Sequence, residues 1–208
     1  MINKKRNSII CSMCIRWLIL LLIVLLLPFF LFLSLLIIVF SGWPIFFVQK
    51  RMGKDGKVFK IYKFRTMRKG SEKEKKKYLK LNEVDWPVFK IRNDPRFTRI
   101  GKFLSHTGLD ELPQLLNVLK GEMAIVGPRP LPVDEEKEIA GVYREARRSV
   151  LPGIISSWIL SGYHLMSFDN WMKQDLEHIR KKSFMNDMLL LFKALPLVLK
   201  LILKEIIG

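Results

Sequence analysis

The feature that most constrains this chain is a stretch of 33 residues, Trp17 to Gln49, without a single charged side chain. Within it, Trp17–Phe40 is almost entirely apolar and exceeds the roughly 18 residues that mark a membrane helix. A helix made of these residues has no polar face, which argues against a place in a soluble core. The apolar part is too long for a signal peptide, and no small-residue cleavage site follows it. The stretch therefore predicts a membrane helix.

Basic residues flank this stretch on both sides. Lys4, Lys5, Arg6 and Arg16 precede it, and the segment 50–69 after it holds nine Lys and Arg but one acid, Asp55. Positive flanks prefer the cytoplasm, so a single span puts one flank on the unfavoured side, whereas a re-entrant helix keeps both inside. Pro28 lacks an N–H and can break the helix near its middle. These rules leave a single span and a re-entrant helix both open.

Composition narrows the class of protein. Lys and Arg number 36 and Asp and Glu 19, which gives a net charge of +17, while half of the chain is apolar. This apolar content excludes intrinsic disorder, and two cysteines exclude a disulfide scaffold. The charge calls for an anionic partner, which is nucleic acid, acidic lipid or a phosphorylated substrate. Because no nucleic-acid-binding motif is present, we expect no nucleic-acid partner.

We predict an α+β fold that is mainly helical, with one small globular domain. Val58–Phe64 alternates in part and follows a Gly-rich basic turn, which predicts a short β-hairpin. Leu112–Leu119 predicts a helix that ends near Gly121, Gly127–Pro132 a stiff loop, and Asp134–Arg148 a charged helix. The predicted organisation is a basic N-terminus over 1–16, a membrane helix over 17–49 with a kink at Pro28, a globular domain over 50–185, and an amphipathic interfacial helix over 186–208 kinked at Pro196.

Two adjacent carboxylates, Asp110 and Glu111, are the first candidates for chemistry. A structural interpretation explains them without catalysis: Asp110 caps a helix and Glu111 offsets its dipole. A functional interpretation makes one a nucleophile, with the pair also able to hold a divalent metal or move a proton. Attack on a phosphoryl group needs cations to neutralise the phosphates. Lys63, Arg65 and Arg129 are candidates, and prolines on both sides fix the backbone of Arg129.

With these motifs the sequence resembles the bacterial sugar transferase family, the monotopic phosphoglycosyl transferases that begin glycan assembly on a polyprenol carrier. The resemblance extends from the membrane segment to about residue 183, and its motifs are long and keep the same order. The stretches that carry it are QKRMGKDGKVFKIYKFRTM (Gln49–Met67), NDPRFTRIGKFL (Asn93–Leu104), LDELPQLLNVLKGEMAIVGPRPLP (Leu109–Pro132), RRSVLPGI (Arg147–Ile154) and SFDNWMKQDL (Ser167–Leu176).

The resemblance implies a transferase that moves a phosphosugar from a UDP-sugar to undecaprenyl phosphate and releases UMP, with Mg²⁺ as cofactor. It makes Asp110 the nucleophile, which forms a covalent phosphosugar intermediate and contacts the metal, and Glu111 its partner. It puts Pro128-Arg129-Pro130 at the nucleotide site and adds Asp175 as a polar site residue. It also favours the re-entrant topology.

The resemblance further implies a place at the cytoplasmic face of the bacterial inner membrane, in contact with anionic lipids, in the synthesis of exopolysaccharide, capsule, O-antigen or glycoprotein. Downstream glycosyltransferases as partners, and a homodimer, are left open.

The sequence departs from the family pattern at several positions, and at two of them an arginine is missing. Ser105 and Tyr163 stand where family members carry arginine. Each lost charge-assisted contact costs about 2–4 kcal/mol of transition-state stabilisation unless Lys102, His106 or His164 replaces it. An impaired or inactive relative that binds lipid carrier or partner proteins is therefore the alternative to an active enzyme.

Overall fold

The computed structural model describes residues 2–160 and 167–207, and the fold is mostly helical. In chain order the helices and strands are α1 (Ile2–Ser41), β1 (Phe46–Met52), β2 (Val58–Phe64), α2 (Arg99–Thr107), α3 (Leu115–Lys120), β3 (Ala124–Val126), α4 (Val133–Lys137), α5 (Gly141–Arg148), β4 (Gly153–Ile155), α6 (Ser157–Leu160), α7 (Phe168–Arg180) and α8 (Phe184–Ile207). Three 3₁₀ segments, Lys54–Gly56, Ser71–Leu81 and Leu109–Gln114, connect them.

Helix α1 is one long apolar helix. Its part Ile15–Ser41 is long and apolar enough to cross a membrane, and most of its large side chains are exposed. Pro28 lies inside the helix and does not end it. The predicted membrane segment over 17–49 therefore needs a correction at its end, because α1 stops at Ser41 and Phe46–Gln49 already belong to β1.

The globular body packs against both halves of α1. Ile19 is buried with Phe59 and Ile61 of β2, and Ile37 is buried with Phe64 and Leu104. At 1.5 Å per residue, the 18 positions between Ile19 and Ile37 correspond to about 27 Å along the helix axis. The helix thus lies along the body over most of its apolar length.

The predicted hairpin is confirmed. Strands β1 and β2 pair antiparallel, from Phe46 opposite Phe64 to Met52 opposite Val58. Alternate side chains of a strand share a face, and Phe59 and Ile61 point into the core. Lys63 continues that row, which directs its ammonium toward the segment that follows α2.

A second, parallel strand pair was not predicted. Ala124 pairs with Gly153 and Val126 with Ile155. The two backbone segments approach so closely that a Cβ on Gly153 would lie 2.1 Å from the backbone nitrogen of Gly127. Three-residue strands give no periodic signal, so sequence patterns cannot reveal this pair.

Two predicted helices differ in detail. The charged helix predicted over Asp134–Arg148 is split into α4 and α5, because the chain leaves the helical path at Ala140 and buries Ile139 in the core. The predicted helix around Leu112–Leu119 is present and ends at Gly121, but its first half is a 3₁₀ segment.

Helix α8 continues through Pro196 and leaves a row of large apolar side chains exposed, namely Leu189, Phe192, Leu195, Leu199 and Leu203.

Because α2 lies so close to the end of the hairpin, we predict that position 101 accepts only glycine without a shift of the backbone. A Cβ there would lie 1.8 Å from the carbonyl oxygen of Thr66. We expect Gly101→Ala to lower the free energy of unfolding by about 1–3 kcal/mol or more, since backbone has to move. The matched control is Gly141→Ala, where nothing lies within 4 Å of the added Cβ, and which should change stability by less than about 1 kcal/mol. Thermal unfolding measures both, and equal stabilities would contradict the packing described.

Candidate active site

The carboxylate pair Asp110 and Glu111 lies in the 3₁₀ segment Leu109–Gln114, directly after α2. Gly108 adopts a left-handed conformation with φ of 76°, which lets the chain turn sharply between the two elements. The N-cap position of the segment is Gly108, which has no side chain, and Asp110 lies inside the segment, so the interpretation of Asp110 as an N-cap is wrong. Asp110 is buried and Glu111 is half-buried.

Two cations hold Glu111. The Lys63 Nζ lies 2.6 Å from Glu111 Oε1 and 3.7 Å from Asp110 Oδ2. Arg129 donates through Nη2 to Glu111 Oε1 and through Nη1 to Oε2 at 3.3 Å. This two-pronged geometry matches the fork of a guanidinium to a carboxylate. The structure thus brings four of the predicted site residues together.

Asn117 ties the segment behind the carboxylate pair to β2. Its side chain is fully buried, donates from Nδ2 to the Lys60 carbonyl at 2.7 Å, and accepts from the Tyr62 N–H at 3.2 Å. These two bonds repeat the pattern of a neighbouring strand, so α3 is held in register with β2. Lys63 is therefore fixed relative to Asp110 and Glu111.

The two carboxylates have opposite electrostatic environments. Burial raises the pKa of Asp110 to about 6, although Lys63 acts in the other direction. Burial also acts to raise the pKa of Glu111, but Arg129 and Lys63 overcome it and hold this pKa well below its usual range. Glu111 is therefore the fixed anion of the pair, while Asp110 is the less acidic carboxylate, and the nearest cation in the described part of the chain is Lys63 at 3.7 Å. Two carboxylates with divergent pKa values are typical of an active site.

Lys90 interacts electrostatically with the carboxylate pair, and the sequence analysis did not single it out. Burial, followed by repulsion from Arg129, lowers the pKa of Lys90 to about 7, and the lysine also interacts electrostatically with Glu111 and Asp110. Its backbone is anchored by Asn82, whose Oδ1 accepts from the Lys90 N–H at 2.7 Å. A single lysine in an irregular loop carries no sequence signal, because only the fold brings it to the carboxylate pair.

The loop that carries Arg129 is held through four consecutive carbonyl oxygens. Pro128 and Pro130 are buried, and Arg129 between them is half-buried. Each carbonyl oxygen accepts one hydrogen bond: Pro128 from Gly153 N at 2.9 Å, Arg129 from Arg147 Nη2 at 2.6 Å, Pro130 from Arg51 Nη1 at 3.1 Å and Leu131 from Met52 N at 3.2 Å. Strands β1 and β4 and helix α5 therefore fix the backbone from which Arg129 reaches Glu111.

Two predicted site residues are placed elsewhere. Arg65 is buried, and its Nη2 donates to the carbonyls of Ser41 and of Gly42, the latter at 2.6 Å, so it binds the end of α1. Asp175 is buried in α7 and forms an ion pair with Arg147. No described contact joins either residue to the carboxylate pair.

His106, one of the residues expected to replace the missing arginines, is engaged elsewhere. Ser105 is half-buried in α2, and the neighbouring His106 contacts Glu205 through Nδ1 at 2.9 Å and the Arg92 carbonyl through Nε2 at 2.8 Å. Tyr163 and His164 lie outside the described residues. Around the carboxylate pair, Lys63 and Arg129 are the cations in direct contact, and Lys90, whose pKa is about 7, adds part of a positive charge at neutral pH.

The donor set fits a magnesium ion only in company with a substrate. Among the described residues there is no cluster of three or more His, Cys, Asp or Glu that could hold a metal. Mg²⁺ is commonly bound by one or two carboxylates together with substrate phosphates. Because Glu111 is occupied by two cations, Asp110 is the carboxylate that could serve such an ion.

Comparisons with known proteins identify the family. The model of the family described as bacterial sugar transferase matches residues 7–201. Galactosyl transferase CpsE of Streptococcus agalactiae serotype III is 41% identical over 160 residues, which cover 76% of this chain and 35% of that relative. Undecaprenyl-phosphate galactose phosphotransferase of Salmonella typhimurium is 37% identical over 167 residues, covering 77% of this chain and 34% of that relative.

A shorter relative matches along most of its length. Exopolysaccharide production protein ExoY of Sinorhizobium fredii is 35% identical over 175 residues, which cover 82% of this chain and 77% of that relative. By contrast, this chain spans about a third of the length of the galactosyl transferase and of the phosphotransferase. The family match over residues 7–201, together with these relatives, shows that the chain belongs to the bacterial sugar transferase family.

Proposed function

We propose that the protein is a membrane-associated transferase that moves a phosphosugar from a UDP-sugar to undecaprenyl phosphate through a covalent intermediate on Asp110. The observation that carries this proposal is the contrast within the carboxylate pair. Asp110 is buried with a pKa near 6, whereas Glu111 is fixed as an anion by Lys63 and Arg129. The names of several relatives, among them the undecaprenyl-phosphate galactose phosphotransferase, support the substrate class.

The reaction follows from these roles in two balanced steps. An Asp110 oxygen attacks the β-phosphorus of the UDP-sugar, the bond from that phosphorus to the bridging oxygen breaks, and UMP leaves with the electron pair. A phosphate oxygen of undecaprenyl phosphate then attacks the same phosphorus and releases the Asp110 carboxylate. No proton transfer is required of Glu111, whose part is to keep Lys63 and Arg129 beside the phosphates.

Cations and metal share the charge of the diphosphate in this scheme. Lys63, Lys90 and Arg129 surround the carboxylate pair and would face the phosphate oxygens, since each interacts with Asp110 or Glu111. A Mg²⁺ ion bound with the substrate would neutralise phosphate charge and polarise the reacting phosphorus. Asp110 is the residue that would contact it.

The proposal includes a re-entrant α1 in the bacterial inner membrane, with the body at its cytoplasmic face. The body contacts residues about 27 Å apart on α1, close to the about 30 Å thickness of bilayer hydrocarbon. A straight crossing would therefore draw the charged body through the hydrocarbon, which is unfavourable. Basic residues on both sides of the uncharged stretch Trp17–Gln49 and the exposed apolar row of α8 support contact with anionic lipid on one side of the membrane.

The alternative, an inactive relative that binds lipid carrier or partner proteins, was motivated by Ser105 and Tyr163. Lys63 and Arg129, together with Lys90 in its protonated form, favour an active enzyme, because they supply positive charge that those positions lack. Turnover with any UDP-sugar would exclude the inactive relative.

We predict that Asp110→Asn abolishes UMP release while it stabilises the fold. The ionised Asp110 is disfavoured by burial, and a pKa near 6 in place of 3.8 corresponds to a cost on the order of 1–3 kcal/mol at neutral pH. Asn removes that cost, and the melting temperature should rise by about 2–4 °C per kcal/mol. The measurements are UMP release from a panel of UDP-sugars and thermal unfolding.

Glu111→Gln is the matched control for stability. Its ionised form is favoured by Arg129 and Lys63, so neutralising it should lower the melting temperature. Undiminished UMP release by the Asp110→Asn protein would refute Asp110 as the nucleophile.

A second prediction concerns pH. Protonated Asp110 cannot attack, so kcat/KM should fall about tenfold per unit as the pH drops below about 6, at constant magnesium concentration. Lys63 is the main group that lowers this pKa, and Lys63→Met should therefore move the acidic limb to higher pH. A limb near pH 4 in both proteins would contradict the buried carboxylate as the ionising group.

A further inference from the structure

The buried ion pair of Asp175 and Arg147 is a charged contact that the proposed reaction does not use. Asp175 Oδ2 accepts from Arg147 Nη1, and both side chains are almost inaccessible to solvent. Arg147 Nη2 donates at 2.6 Å to the carbonyl of Arg129. One guanidinium thus links a carboxylate of α7 to the backbone of the residue that binds Glu111.

The surroundings of Arg147 restrict it to this position. Its guanidinium carbon lies 5.6 Å from the centre of the Trp158 ring, and Trp158 stacks on Trp171 with ring centres 4.9 Å apart. The indole nitrogen of Trp158 donates to the Trp171 carbonyl at 3.0 Å, so α7 and the tryptophan pair form a rigid wall behind Arg147.

Stability alone does not account for this pair. Two buried charges usually cost as much in desolvation as they return in attraction. Arg147 Nε and Asp175 Oδ1 are buried without a hydrogen-bond partner in the described part of the chain, which adds to the cost. An apolar pair would fill the same space, but it would not bind a carbonyl oxygen.

We propose that Asp175 and Arg147 are positioning residues: Asp175 orients Arg147, which fixes the Arg129 backbone and so directs the Arg129 guanidinium at Glu111. Asp175 then affects the reaction only through Arg147 and Arg129, and it contacts no substrate. This inference rests on the proposed function, because Arg129 matters only if the carboxylate pair is reactive.

The test compares two adjacent arginines of α5. In Arg147→Lys the single ammonium cannot serve Asp175 and the Arg129 carbonyl with the same geometry. Arg148→Lys is the matched control, because Arg148 also forms a two-pronged pair with a carboxylate, Glu136, but contacts none of the residues around Asp110. Per folded molecule, we expect Arg147→Lys to lower kcat about 10- to 100-fold with KM for the UDP-sugar changed less than about threefold, and Arg148→Lys to leave kcat within about twofold.

Non-additivity separates positioning from a loss of folding. When Arg147→Lys or the milder Asp175→Asn is added to Arg129→Gln, the single-turnover rate should be less than about threefold lower than that of Arg129→Gln alone. The inference would be overturned if the rate reductions of the single variants multiplied in the double variant, or if Arg147→Lys had the same kcat as the wild-type protein.

A stability cycle keeps the inference testable if the wild-type protein shows no turnover, an outcome that would refute the proposed function alone. Glu111→Gln should destabilise the Arg147→Lys protein less than the wild type, because Arg129 is then no longer held against Glu111. Equal melting-temperature shifts in the two backgrounds would overturn the positioning role.

Discussion

The ion pairs of Glu111 with Lys63 and Arg129 are the interaction on which the candidate site depends. They join three separate parts of the chain: the end of the hairpin, the 3₁₀ segment after α2, and the proline-bounded loop before α4. A carboxylate that satisfies two cations stays ionised at any ordinary pH. Its neighbour Asp110 is less acidic mainly because it is buried, and this environment supports its proposed role as a carboxylate nucleophile.

Much of the remaining structure serves to hold these groups still. Asn117 fixes β2 against α3, and four donors fix the carbonyls of residues 128–131. Arg65, expected at the phosphates, instead binds the end of α1 and so attaches the apolar helix to the body. The surplus of positive charge is therefore divided between the membrane flanks, the carboxylate pair and structural contacts inside the fold.

Long or chemically distinctive patterns were predictable from the sequence, and short or non-local ones were not. The apolar α1, the hairpin and the end of α3 at Gly121 follow from runs of one residue type or from alternation. The β3–β4 pair is too short to leave a period, and Lys90 reaches the carboxylate pair only through tertiary structure. Asp175 shows the same limit, because no local pattern reveals that a buried arginine neutralises it.

The most direct measurement is mass spectrometry of the purified full chain after incubation with magnesium and a UDP-sugar that it accepts, in the absence of undecaprenyl phosphate. The account predicts one phosphosugar on the peptide that contains Asp110, which disappears when undecaprenyl phosphate is added and never forms in Asp110→Asn. An unmodified Asp110 peptide in a preparation that turns over normally once undecaprenyl phosphate is present would contradict it, because transfer would then be direct.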